Sequence, residues 1–121
     1  MKPPLCLALA VGFWIAGVLL IRFTPWIWAE VSLWSLLAFA AALPMAWLTV
    51  WLSARMGAFV PAEQPRAIAF MCWAALLMDG AALMWAPGLY GQPPEALHRA
   101  AAFLLWTFGL TLAVGARVPH Q

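Results

Sequence analysis

Four apolar runs, at about 5–24, 31–54, 66–86 and 94–116, take up most of this 121-residue chain. Spanning the roughly 30 Å hydrocarbon core of a bilayer takes about 20 helical residues, so each run has the length of a transmembrane helix. Inside lipid a helix satisfies its own backbone hydrogen bonds. The expected fold is therefore an all-α membrane protein, a four-helix transmembrane bundle forming one domain over residues 1–121. The connections between runs are too short to hold a second domain.

Composition leaves no room for a soluble alternative. The chain is 67% hydrophobic and 8% charged, against about a quarter charged in soluble domains. In water that much apolar surface would aggregate. The net charge of +2 comes from basic residues scattered at the ends of the runs, not from the clustered stripe that nucleic acid requires. Cys6 and Cys72 lack the spacing of a redox dithiol or metal site and fall in apolar runs, where cysteine acts as a small hydrophobe. Lys2 followed by an apolar stretch imitates a signal peptide, but no small-residue cleavage motif follows. The first run is read as a retained helix.

Within the runs, small residues recur at four-residue spacing: Ala8, Gly12 and Ala16, then Ala38, Ala42 and Ala46, then Gly109 and Ala113. Such faces let helices approach closely in lipid. Pro44 deletes a backbone hydrogen bond and predicts a kink in the second helix. Trp47 and Trp51 form a stripe expected to face lipid or a neighbouring helix. Glu95 and Arg99 have the order and spacing of a helix ion pair.

Four spans put both termini and the middle loop on one side, with Lys2, Arg55, Arg66 and Arg117, against Arg22 and Arg99 on the other. The positive-inside rule makes the termini cytoplasmic, an N-in/C-in topology. Trp26, Trp28, Trp34, Trp85 and Tyr90 then collect at the outer interface as anchors.

The third run holds one ionisable residue deep inside it, Asp79. A carboxylate at such depth costs about 2.5–3.5 kcal/mol on insertion scales and must face protein or water. Helical rise places Asp79 roughly 10 Å below the outer end of its helix and Arg99 roughly 7 Å below the start of the fourth. Arg22 lies closer to the surface, but side chains lean toward a helix N-terminus, which turns it inward. Asp79, Arg22 and Arg99 are thus expected to form a buried polar cluster, with Arg22 favoured over Arg99 as the partner of Asp79.

No catalytic residues emerge. The chain has no phosphate-cradling glycine loop, no nucleophile elbow and no metal-ligand spacing. Ser32, Ser35 and Ser53 lack a base, so an enzyme is not expected, and neither is a bound cofactor or metal. His98 and His120 would lie on opposite sides of the membrane and cannot hold one haem between them. His98 alone is a candidate ligand to a pigment or haem shared with another subunit, although an interfacial histidine is more often simply hydrogen-bonded.

Leu77–Gly80, the aromatic exit Trp85–Tyr90, the turn Pro93–Glu95, the segment Leu104–Trp106 and the late Arg22 together form a pattern. In these motifs the chain resembles a family of small bacterial four-span membrane proteins known only as a domain of unknown function. The resemblance implies a four-helix fold in the bacterial inner membrane and lends no activity. The function expected is that of a non-catalytic accessory or structural subunit. It would pack laterally, with lipid and other membrane subunits as partners, in a larger complex, a bioenergetic or photosynthetic assembly being one candidate by analogy. The alternatives are a small oligomeric transporter or channel-like protein using Asp79, and pigment or haem binding through His98.

Overall fold

The structure, a computed structural model, describes residues 1–117. Those residues form helices and connecting turns: α1 (Pro3–Arg22), α2 (Pro25–Trp28), α3 (Leu33–Arg55), α4 (Gln64–Trp85) and α5 (Pro94–Gly115). Short 3-10 turns at Pro61–Glu63 and Pro87–Tyr90 precede and follow α4. Four of the helices (α4 taken with the turn before it) are long and apolar enough to cross a membrane.

Helix boundaries follow local chemistry. Pro3 and Pro4 stand in the first turn of α1, where the missing N–H costs nothing, so α1 starts earlier than expected. It ends at Arg22, before the break at Pro25. Pro25 opens a further single turn, α2, which the sequence suggested only as an interfacial bend. At the start of α3 the Ser35 hydroxyl accepts the Ser32 N–H at 2.9 Å and donates to the Ser32 carbonyl at 2.8 Å. The helix continues through Pro44. It stops in a Schellman turn: Gly57 takes φ +78°, its N–H bonds the Ala54 carbonyl, and the Ala58 N–H bonds the Ser53 carbonyl.

The helices pack in the order α1, α4, α5, α3, and α1 and α3 touch only marginally. The bundle is therefore closed on three sides and slack on the fourth. Ala42 and Ala46 are buried, so the alanine face of α3 does turn inward as expected. The corresponding faces of α1 and α5 do not: Ala8, Gly12, Ala16, Gly109 and Ala113 are all exposed. The close approach of α4 to α5 falls instead at Gly115, where a Cβ would overlap the Ile68 side chain.

The buried side chains form two clusters. One lies at the end of the bundle where α1 starts and α5 stops and includes Cys6, Ala46, Ala67, Ile68 and Cys72. The other lies at the opposite end and includes Ile21, Trp28, Ala42, Tyr90 and Phe103. Both free cysteines are buried, as their apolar setting suggested.

Each end is tied by polar contacts. At the terminal end the Lys2 N–H bonds the Ala58 carbonyl at 2.8 Å. Gln64 Nε2 donates to the Arg117 carbonyl at 2.7 Å, capping the end of α5 from α4. The amino terminus of Met1 pairs with Glu63, the ion pair present among the described residues. At the other end Arg22 donates to the carbonyls of Gly88 and Leu89 at 3.2 and 3.1 Å. Arg99 donates to those of Trp28 and Ala29 at 3.0 and 2.9 Å. Both arginines thus meet carbonyls at the end of a short helical turn, which carry partial negative charge.

Candidate functional site

Asp79 lies two turns from the end of α4 and is 5% exposed. Its Oδ1 accepts two hydrogen bonds, from Trp14 Nε1 on α1 at 3.0 Å and from the Tyr90 hydroxyl at 2.5 Å. Tyr90 reaches back because the 3-10 turn Pro87–Tyr90 folds under the end of α4. Gly91 then turns the chain away at φ +68° with its Cα side against Arg22, leaving no room for a Cβ. Burial first, then the hydrogen bond and charge of Asp79, hold the Tyr90 phenol well above its ordinary range. Tyr90 therefore stays protonated and serves as a permanent donor.

The arginine cluster expected from the sequence is not what holds Asp79. Arg22 and Arg99 are both at the same end of the bundle, but each is committed to backbone carbonyls, and neither bonds the carboxylate. Those carbonyls, on the short turns at 25–28 and 87–90, lie closer to the helix ends that carry the arginines than Asp79 does. The Glu95–Arg99 pair does not form for the same reason.

The aromatic anchors divide. Trp26, Trp34 and Trp85 are exposed on the outside of the bundle. Trp28 and Tyr90 are not: they are 1% and 0% exposed and belong to the core. Trp28 packs on Phe103 with ring centroids 5.0 Å apart, while its Nε1 donates to the Thr24 hydroxyl at 3.1 Å. An amphipathic ring beside a turn finds a buried partner for its polar tip as readily as an interface. Trp47 and Trp51 are exposed, with Arg55 over the Trp51 ring at 5.9 Å.

A cavity of about 180 Å³ lies between the two core clusters, and Asp79 is on its wall. All four long helices contribute to the lining, which is largely apolar. Asp79 and Thr107 both line this space, and their buried Oδ2 and Oγ1 have no hydrogen-bond partner among the described residues. The site can therefore accept hydrogen bonds or pair with a cation.

His98 is exposed on α5, in a shallow hollow shared with Pro94, Glu95 and Arg99, and it does not border the cavity. His120 lies outside the described residues. No group of three His, Cys, Asp or Glu that could hold a metal occurs among the described residues.

Fold and site together define a class: a bundle of four helices, each long and apolar enough to cross a membrane, with a single carboxyl beside a central cavity. Comparison with family models, curated proteins and solved structures gave no match.

Proposed function

We propose that this chain is a multi-pass protein of the bacterial inner membrane, with cytoplasmic termini, serving as a non-catalytic accessory subunit that meets its partners within the bilayer. The observation that carries this reading is where the molecule spends its polar groups. At both ends the amino group of Met1, the backbone N–H of Lys2 and the side chains of Gln64, Arg22, Gln92 and Arg99 are turned onto the chain's own carbonyls and carboxylate. The flanks, by contrast, expose large apolar residues such as Leu36, Trp47, Trp73, Leu77 and Leu105. A partner would meet this protein through those flanks, where packing and not the hydrophobic effect drives association in lipid. The distribution of basic residues and the motif resemblance support the orientation and the inner membrane.

The test is extraction from native membranes across a series of detergents of rising strength. Comigration with a larger complex in the mildest detergents, lost as strength rises, supports the reading. Elution of the chain alone in every detergent overturns it. A second reading, a ligand-handling protein using Asp79, is favoured by the unpartnered Oδ2 of a residue that lines a cavity.

A further inference from the structure

We propose that the central cavity is a binding site for a small amphiphilic amine, an ammonium head on an apolar body of about one aromatic ring, held by Asp79. It goes beyond the accessory-subunit reading and borrows from it only the lipid through which the ligand would arrive.

Size sets the body. The cavity measures about 180 Å³, slightly more than the apolar cavity of about 150 Å³ that takes up benzene in an engineered protein core. Phe13, Trp14, Phe103 and Phe108 line it and offer aromatic contact to both the body and the cationic head.

Charge sets the head. Oδ1 of Asp79 is already engaged by Trp14 and Tyr90, whereas Oδ2 has no partner among the described residues, and Asp79 is part of the cavity wall. Among the described residues no basic group forms an ion pair with it. Arg22 and Arg99 are bound to carbonyls at one end of the bundle, and Lys2, Arg55, Arg66 and Arg117 belong to the other end. A buried acceptor of this kind is completed by a donor that brings positive charge. An ammonium carries three donors, and Thr107 Oγ1 is a second vacant acceptor on the same wall.

The way in is the slack side of the bundle. Ala16, Leu20 and Met45 border the cavity and are also exposed, which puts its mouth between α1 and α3. Gly17 borders it too, and a Cβ added there meets no atom within 4 Å.

Three probes with one ring separate the possibilities: benzylamine, protonated at neutral pH, benzyl alcohol and toluene. Each is titrated into the purified full-length chain in mild detergent, with calorimetry and thermal unfolding as readouts. Benzylamine is expected to bind at least tenfold more tightly than either neutral probe and to raise the melting temperature. Asp79→Asn should bring benzylamine down to the level of benzyl alcohol and leave toluene unchanged. Gly17→Leu should fill the mouth and abolish binding of all three, while placing a better helix former in α1. If Asp79→Asn fails to fold, Gly17→Leu still separates site binding from uptake by the micelle. The proposal is overturned if benzylamine binds no better than toluene, if it binds Asp79→Asn as well as the parent, if Gly17→Leu responds like the parent, or if no probe binds. Because the isolated chain is used, none of these outcomes depends on whether it belongs to a complex.

Discussion

Trp14 on α1 and Asp79 on α4 are joined by a hydrogen bond of 3.0 Å between residues 65 positions apart. Together with the Tyr90 hydroxyl it supplies the donors that the carboxylate has among the described residues. Hydrogen bonds to charged groups contribute about 1.5–3 kcal/mol each, and stranding the acceptor costs its full desolvation. Trp14→Phe and Tyr90→Phe should each lower stability by roughly 1–3 kcal/mol. The double variant, which strips the carboxylate of both donors, should lose more than the sum. Equilibrium unfolding in mixed micelles measures all three, and simple additivity would mean that Asp79 finds another partner.

Gly91 and Arg22 are coupled by contact. A methyl at Gly91 would sit in a left-handed backbone at φ +68° and meet Arg22 Cγ at 2.8 Å. A non-glycine residue in that region costs about 1–2 kcal/mol by itself, and the collision adds to it. Gly91→Ala should therefore destabilise the fold. Arg22→Ala should relieve part of the loss, giving a double variant more stable than the two single costs predict. A thermal-unfolding double-mutant cycle reads the coupling directly.

The glycines of α5 should behave in opposite ways. At Gly115 an added Cβ overlaps Ile68, so Gly115→Ala forces α4 and α5 apart and should cost about 1–3 kcal/mol, as overpacking does. At Gly109 a Cβ meets nothing within 4 Å. Gly109→Ala should be neutral or stabilising by up to about 1 kcal/mol through helix propensity. Equal effects at the two positions would refute the packing of α4 on α5.

Gln64 is buried and caps α5 across the helix–helix boundary. Gln64→Leu keeps much of the volume and removes the donor to the carbonyl of Arg117. The last turn of α5 should fray, visible as faster hydrogen exchange at the amides of Ala116 and Arg117. Protection at the Asp79 turn of α4 should be unchanged. Uniform loss of protection along the chain would instead indicate global destabilisation.

The architecture was legible because lipid-spanning length is a composition signal that needs no tertiary knowledge. The four long helices fall within a few residues of their expected limits, and the inward alanine face of α3 was readable from spacing alone. The faces of α1 and α5 were not, since small-residue spacing says that close approach is permitted without saying who approaches. At Asp79 the sequence pointed to the right residue and the wrong partners. Formal charge drew attention to the arginines, whereas the donors are neutral. The depth argument already contained the answer: helical rise puts Trp14 about 12 Å from the end of α1 and Asp79 about 9 Å from the end of α4, so their levels match. Tyr90, the chain's one tyrosine, sits just past the helix that carries Asp79. Its assignment to an interfacial belt failed because the turn at 87–90 folds back, which composition does not encode.

The split core has a consequence for how this molecule comes apart. Residues around Cys6, Ile68 and Val114 cohere at one pole, and those around Ile21, Trp28 and Tyr90 at the other. A cavity lies between them and the partly buried Phe108 and Leu110 pack against both, so strain at one pole has few atoms through which to reach its counterpart. Trimming Met1 and Lys2 should thus loosen one half of the bundle while the opposite half keeps its shape, so that the protein melts from its tails inward in two stages.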